Sequence, residues 1–206
     1  MSREVHVQFC ERAGVRFPCA THLVMGFEFK SDAERVYRVI FKRFEKFGLS
    51  LHPEKTRLVP FGPPERGDGQ EVEPPGTFDF LGFTHYWGKS RKGRWYVVRK
   101  TSRKRLNRAL KRVNEWCRDH RHEKLRYQVE KLGLKLKGHF GYYGISGNLR
   151  SLEAFRWHVI RQWRYWLNRR DRDHGSMSWE RMKRLLDFWY LPPAKVIHSV
   201  FANPCF

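Results

Sequence analysis

The stretch "LVMGFEFKSDAERVYRVIFKRFEKFGLSLHPEKTRLVP" (residues 23–60) changes its hydrophobic period twice, and those changes decide the fold class. "LVMGFEF" (23–29) reads as a buried strand, with the turn-like "VRFPCAT" (15–21) before it. "SDAERVYRVIFKRFEKFG" (31–48) then takes up the helical period. Ser31 offers a cap, Asp32 and Glu34 sit in the positive first turn, and Gly48 is the stop. Val36, Val39, Ile40, Phe44 and Phe47 fall on one stripe. Residues 49–60 are extended, with Leu49 and Leu51 alternating before Pro53 breaks the run. A loop rich in Gly, Pro and Glu covers 61–76. "TFDFLGFTHYW" (77–87) and "RWYVVR" (94–99) flank "GKSRKG" as a β-hairpin. Strand–helix–strand–hairpin is an α+β order.

Beyond that hairpin the pattern is helical. "TSRKRLNRALKRVNEWC" (101–117) places Leu106, Leu110, Val113 and Cys117 on one face, with Ser102 as a cap candidate. A second segment aligns Leu125, Val129, Leu132 and Leu136. "GHFGYYGISGN" (138–148), with four glycines among aromatics, breaks the period. It reads either as a helix–loop–helix corner packed by aromatics or as a place where backbone and rings approach a ligand. "LRSLEAFRWHVIRQWRYWLNRR" (149–170) resumes with Phe155, Val159, Trp163 and Trp166 inward, and "SWERMKRLLDFW" (178–189) makes a last short helix.

Charge divides the chain near residue 88. Residues 89–184 hold 29 Lys and Arg against 8 Asp and Glu, which accounts for the whole excess of +21. The rest of the chain is neutral. Such a block selects a polyanion, nucleic acid first and an anionic membrane surface second. Eight Trp, eight Tyr and sixteen Phe add flat faces suited to RNA or single strands. Cys10, Cys19, Cys117 and Cys205 are scattered without a C-x-x-C pair, so free thiols are expected rather than a zinc site or disulfides. No apolar run is long enough to span a bilayer and no secretory signal is visible, so the cytoplasm is the expected compartment.

Three clusters stand out: "FGLSLHPEKTRLVPFG" (47–62), "FDFLGF" (78–83) and "LKGHFGYYGISGNLRSLEAF" (136–155). Each alone has an ordinary reading, as a solvated Lys55, an aromatic core hairpin around Gly82, and a packed corner. In this order they resemble the C-terminal portion of a group II intron-encoded protein, a reverse transcriptase with maturase activity. The resemblance implies a polymerase-palm remnant over 19–88, its hairpin extending to about 100, then a basic helical thumb/maturase region over 101–206. Residues 1–18 match nothing in that family and read as an unmatched leader.

The resemblance assigns Lys55 to the incoming nucleotide's phosphates and Phe80, Leu81, Gly82 and Phe83 to a primer-grip hairpin. The family's metal-binding aspartate pair is expected where Thr21 and His22 stand. Two-metal phosphoryl transfer needs carboxylates bridging Mg²⁺ ions about 3.5–4 Å apart, and neutral Thr or imidazole does not replace their charge. Mg²⁺ therefore belongs to the full-length family, and no catalytic residue, metal or cofactor is expected in this chain. The expected role is binding group II intron RNA to assist splicing, with a DNA target as a further partner and no membrane. Arg103, Lys104, Arg108, Lys111 and Arg112, the corner residues His139, Tyr142, Tyr143 and Asn148, and a row of Arg150, Arg156, Arg161, Arg164, Arg169 and Arg170 are the expected RNA ligands. The alternatives are an RNA-directed DNA polymerase of the mobile element, completed by a complementing fragment, or a non-functional truncated remnant.

Overall fold

A computed structural model of the chain describes residues 5–13, 22–52, 56–64, 76–170 and 176–199, with backbone only for 5–13 and 22. The fold is α+β, and the chain divides into two compact units, Met1–Val98 and Arg99–Phe206. The charge step at residue 88 falls inside the first unit rather than at its edge.

In the first unit, β1 (Val5–Ala13) lies at the centre of an antiparallel sheet with β2 (His22–Phe27), β3 (Leu49–Leu51) and β4 (Arg57–Pro60). Its register runs from Val5 opposite Phe27 to Cys10 opposite His22, and Ala13 faces Leu49. Part of the expected leader is thus the strand on which the others pair. The helix α1 spans Lys30–Glu45 and packs Ala33, Val36, Ile40 and Phe44 against Leu51, Met25 and Leu58.

Two expectations for α1 are corrected. Phe29 occupies the N-cap in extended geometry, so Ser31 lies within the first turn and caps nothing. Val39 and Phe47 point to solvent, Phe47 at 74% exposure, while Tyr37 and Phe41 take their places on the sheet. Tyr37 also donates to the Thr56 carbonyl at 3.3 Å, an anchor that periodicity alone does not reveal. Gly48 does end the run: at φ +70° it donates its N–H to the Glu45 carbonyl, a conformation open to glycine.

The aromatic segment forms three antiparallel strands, β5 (Phe78–Phe80), β6 (Phe83–Lys89) and β7 (Trp95–Thr101): β6 and β7 are the expected hairpin, and β5 adds a third strand to it. Leu81 and Gly82, with φ of 48° and 83°, make the two-residue turn between β5 and β6. Positive φ at both central residues is the primed turn whose twist matches paired strands. Phe78 stacks on His85 at 4.7 Å, and Phe61 meets Phe78 edge-on at 4.9 Å.

The second unit is a helical bundle of α2 (Arg103–Asp119), α3 (Leu125–Tyr143), α4 (Leu149–Leu167) and α5 (Trp179–Phe188). Val113, Cys117, Val129, Leu132, Leu136, Phe155, Val159 and Trp163 form its core, as the periodicities predict. Trp166 is only half-buried and spends its indole N–H on Asn114 Oδ1 at 2.8 Å. Trp163, fully buried, donates to Gln128 Oε1 at 2.7 Å, and Gln128 in turn donates to the Glu123 carbonyl. A buried indole N–H and a buried amide thus satisfy each other. Ser102 is the N-cap of α2 through its carbonyl, with no hydroxyl cap, whereas Ser178 Oγ accepts from Arg181 N and caps α5.

Candidate nucleic-acid interface

The amphipathic pattern of α2 sets its surface. Leu106, Leu110, Val113 and Cys117 turn into the core, so at about 100° per residue Lys104, Arg108, Lys111 and Arg112 fall on the opposite arc. Arg103 and Arg105 flank that arc, and all six side chains are exposed. Between Lys104 and Arg112 the helix rises about 12 Å, and no acid interrupts it. The acids of α2 come only in its last turns, where Glu115 meets Lys111 at 3.9 Å and Asp119 meets Arg118 at 3.0 Å. Both pairs are open to water and hold little energy.

The first turns of α2, α3 and α4 contain no acidic residue. Cations beside the positive end of a helix dipole are unfavourable until an anion joins them. This signal is legible in "SRKR" and "NLRS", where cations rather than acids follow the cap positions.

The expected arginine row on α4 separates into two groups. Arg150, Arg161 and Arg169 are exposed; Arg161 lies 5.6 Å from the Trp157 ring and Arg169 lies 4.3 Å from Tyr165. Arg156, Arg164 and Arg170 are turned inward instead. Arg156 donates to the Pro192 and Leu191 carbonyls, Arg164 to the Met177 carbonyl, and Arg170 to the His122 and Glu123 carbonyls. These three tie loops to α4, because a guanidinium satisfies otherwise unpaired carbonyls while keeping its charge near water.

The corner is corrected most. The helix α3 continues through Gly138 and Gly141 to Tyr143 and ends only at Gly144. Phe140 is buried and anchors that extra turn, which outweighs the weak helix propensity of glycine. His139 is sandwiched rather than offered: it stacks on Phe155 at 3.7 Å and lies 4.6 Å from Tyr143. Burial pulls its pKa down to about 4, and its buried Nε2 has no hydrogen-bond partner.

Asn148, 1% exposed, accepts from Thr101 N at 2.9 Å and donates to Thr101 Oγ1 and the Tyr143 carbonyl, both at 2.8 Å. It is a clamp between the start of α2 and the corner. Tyr142 alone of the four corner residues is an open face, at 54% exposure. Burial, then Tyr142, raises the Tyr143 pKa, while Arg105 and Arg108 lower it, so the corner and the basic arc of α2 are neighbours.

In the first unit, Phe80 and Phe83 are half-buried, Gly82 shapes the turn, and Leu81 is exposed at its tip. Thr84 Oγ1 donates to Asp79 beside that tip. Lys55 and Thr21 lie outside the described residues, as does the side chain of His22, whose backbone begins β2. A hydroxyl and an imidazole are in any case a poor donor set for Mg²⁺, which prefers charged oxygen. Among the described residues no three His, Cys, Asp or Glu side chains converge to hold a metal, and no helix is long and apolar enough to cross a membrane. Cys117 is free and buried, its thiol pushed up to about 12 by desolvation. No protein-family model matches the chain, and no curated protein matches it.

Proposed function

We propose that the chain is an RNA-binding protein of the group II intron reverse transcriptase/maturase type, which holds structured intron RNA in the cytoplasm and assists its splicing. In this reading residues 19–88 are a palm-like remnant and 101–206 the thumb/maturase region, with a DNA target as a secondary partner. The observation that carries it is the basic arc of α2 from Lys104 to Arg112, opposite the stripe that pins the helix to its core and met by one acid, Glu115, a turn further on. Arg103, Lys104, Arg105, Arg108, Lys111 and Arg112 neutralise phosphates, with Arg150, Arg161 and Arg169 of α4 as further contacts. Phosphate contacts position the RNA, and exposed rings such as Tyr142 stack on unpaired bases.

The test is a mobility shift with a structured RNA. Arg108→Glu with Arg112→Glu replaces two attractions by two repulsions, and is expected to weaken binding at least about 100-fold while the thermal melt is unchanged. Unaltered affinity in that double variant excludes α2 as the contact surface. Copying RNA into DNA is not part of this reading. Primer extension with Mg²⁺ is expected to give no product, and incorporation by the purified chain would overturn the assignment of Thr21 and His22.

A further inference from the structure

Within the second unit, beside α4 and α5, lies a groove of about 490 Å³ whose walls include Glu153, Trp157, Ile160, Trp179, Leu186 and Pro193. Trp157 is 51% and Trp179 46% exposed, so two of the largest apolar side chains stand half in water next to each other. Their ring centres are 5.5 Å apart with the planes at 59°, which is too inclined for the indoles to cover one another. Each ring also carries a guanidinium: Arg161 lies 5.6 Å from the Trp157 ring and Arg164 4.4 Å from the Trp179 ring. On α5, Lys183 is exposed one turn on from Trp179, whereas Arg181 and Arg184 fall on the opposite arc of the helix.

We propose that this groove receives one unpaired nucleobase of the bound RNA, stacked on the exposed Trp157 ring with the Trp179 ring against its edge, while the adjoining phosphates lie on the exposed Arg161 and Lys183. The proposal rests on the RNA-binding reading above and adds to it a base-selective subsite that the basic arc of α2 does not supply. Charge complementarity selects the occupant. A flat apolar group joined to a polyanion fits an exposed indole with the exposed Arg161 beside it, whereas an apolar peptide helix does not answer that charge. Glu153 refines the choice. An ionised carboxylate only accepts hydrogen bonds, so it favours a base with adjacent donors on its Watson–Crick edge. Guanine, with N1–H and the 2-amino group side by side, meets that requirement; uracil presents one N–H between two carbonyls.

The experiment uses the full chain and three RNAs: an oligouridine of about 12 nucleotides, the same strand with one central guanosine, and a fully paired duplex. Wild type is expected to bind the guanosine strand more tightly than oligouridine. Trp157→Ala and Trp179→Ala should weaken guanosine-strand binding by about 5- to 100-fold while duplex binding, which uses phosphates, changes by less than about twofold. Trp157→Phe keeps a flat ring and should retain most of the affinity. Glu153→Gln should erase the guanosine preference.

Equal losses on single strand and duplex, or no loss on either, overturn the subsite while leaving RNA binding intact. Wild type that binds none of the three RNAs removes the RNA-binding reading itself. Binding to anionic vesicles in place of RNA overturns both.

Discussion

Glycines and one histidine of α3 show how context sets a residue's role. A Cβ added at Gly144 would lie 2.3 Å from the Phe140 carbonyl oxygen and 3.0 Å from that of Lys195. Those neighbours are backbone, held there because Ile197 N and His198 N donate to the Gly144 carbonyl at 2.7 and 2.8 Å. Gly144→Ala is therefore expected to destabilise the second unit by about 1–3 kcal/mol. Gly138→Ala should do the reverse. That site is helical with open space around the missing Cβ, and alanine should add about 0.5–1 kcal/mol. Paired urea denaturation curves read both signs.

His139 gives the pH dependence. Its pKa is lowered from 6.5 to about 4 by burial, so the folded state refuses a proton that the unfolded chain takes up in that window. Its contribution is complete above pH 6.5 and is lost as the pH falls toward 4. The melting temperature should drop across that range, and His139→Phe, which removes the titrating ring, should flatten the drop.

At the scale of elements, periodicity reads the helices of the second unit well and α1 only in part, where Val39 and Phe47 face solvent. The stripe of α2 and the inward residues of α4 were legible because each faces one core. Three failures have physical causes. Glycine was read as punctuation at 138 and 141, yet the buried Phe140 keeps the helix going. Arginines at helical spacing look alike, but Arg156, Arg164 and Arg170 reach carbonyls as far off in sequence as His122, 48 positions from Arg170, which no local pattern encodes. Asn148 is expected among the RNA ligands but is buried in a clamp, and its partner, Thr101, lies 47 positions away.

The β5–β6 turn offers a prediction of its own. Leu81 sits at φ 48°, which costs a Cβ-bearing residue energy, and its side chain is exposed at 57%. Leu81→Asn places Asn-Gly in the turn and should stabilise the hairpin by about 0.5–1 kcal/mol. A lower melting temperature in that variant would show that Leu81 makes a contact worth more than its strain.

Over the whole molecule, composition says most about the kind of partner proposed and least about the surface that would meet it. The net +21 pointed to a polyanion at once. Which cations are open was not legible, since half of the α4 row serves the fold. The pairing of Trp157 with Trp179 was also hidden, because the two rings lie on different helices.

The measurement that bears most directly on the central claim is the salt dependence of RNA binding by the full chain. With roughly 6–10 of the exposed cations on phosphates, affinity for a structured RNA should fall by about 10³–10⁵ between 50 and 200 mM monovalent salt. The logarithm of the binding constant should fall linearly with that of the salt concentration. A flat response, or no binding at the lowest salt, would contradict the account.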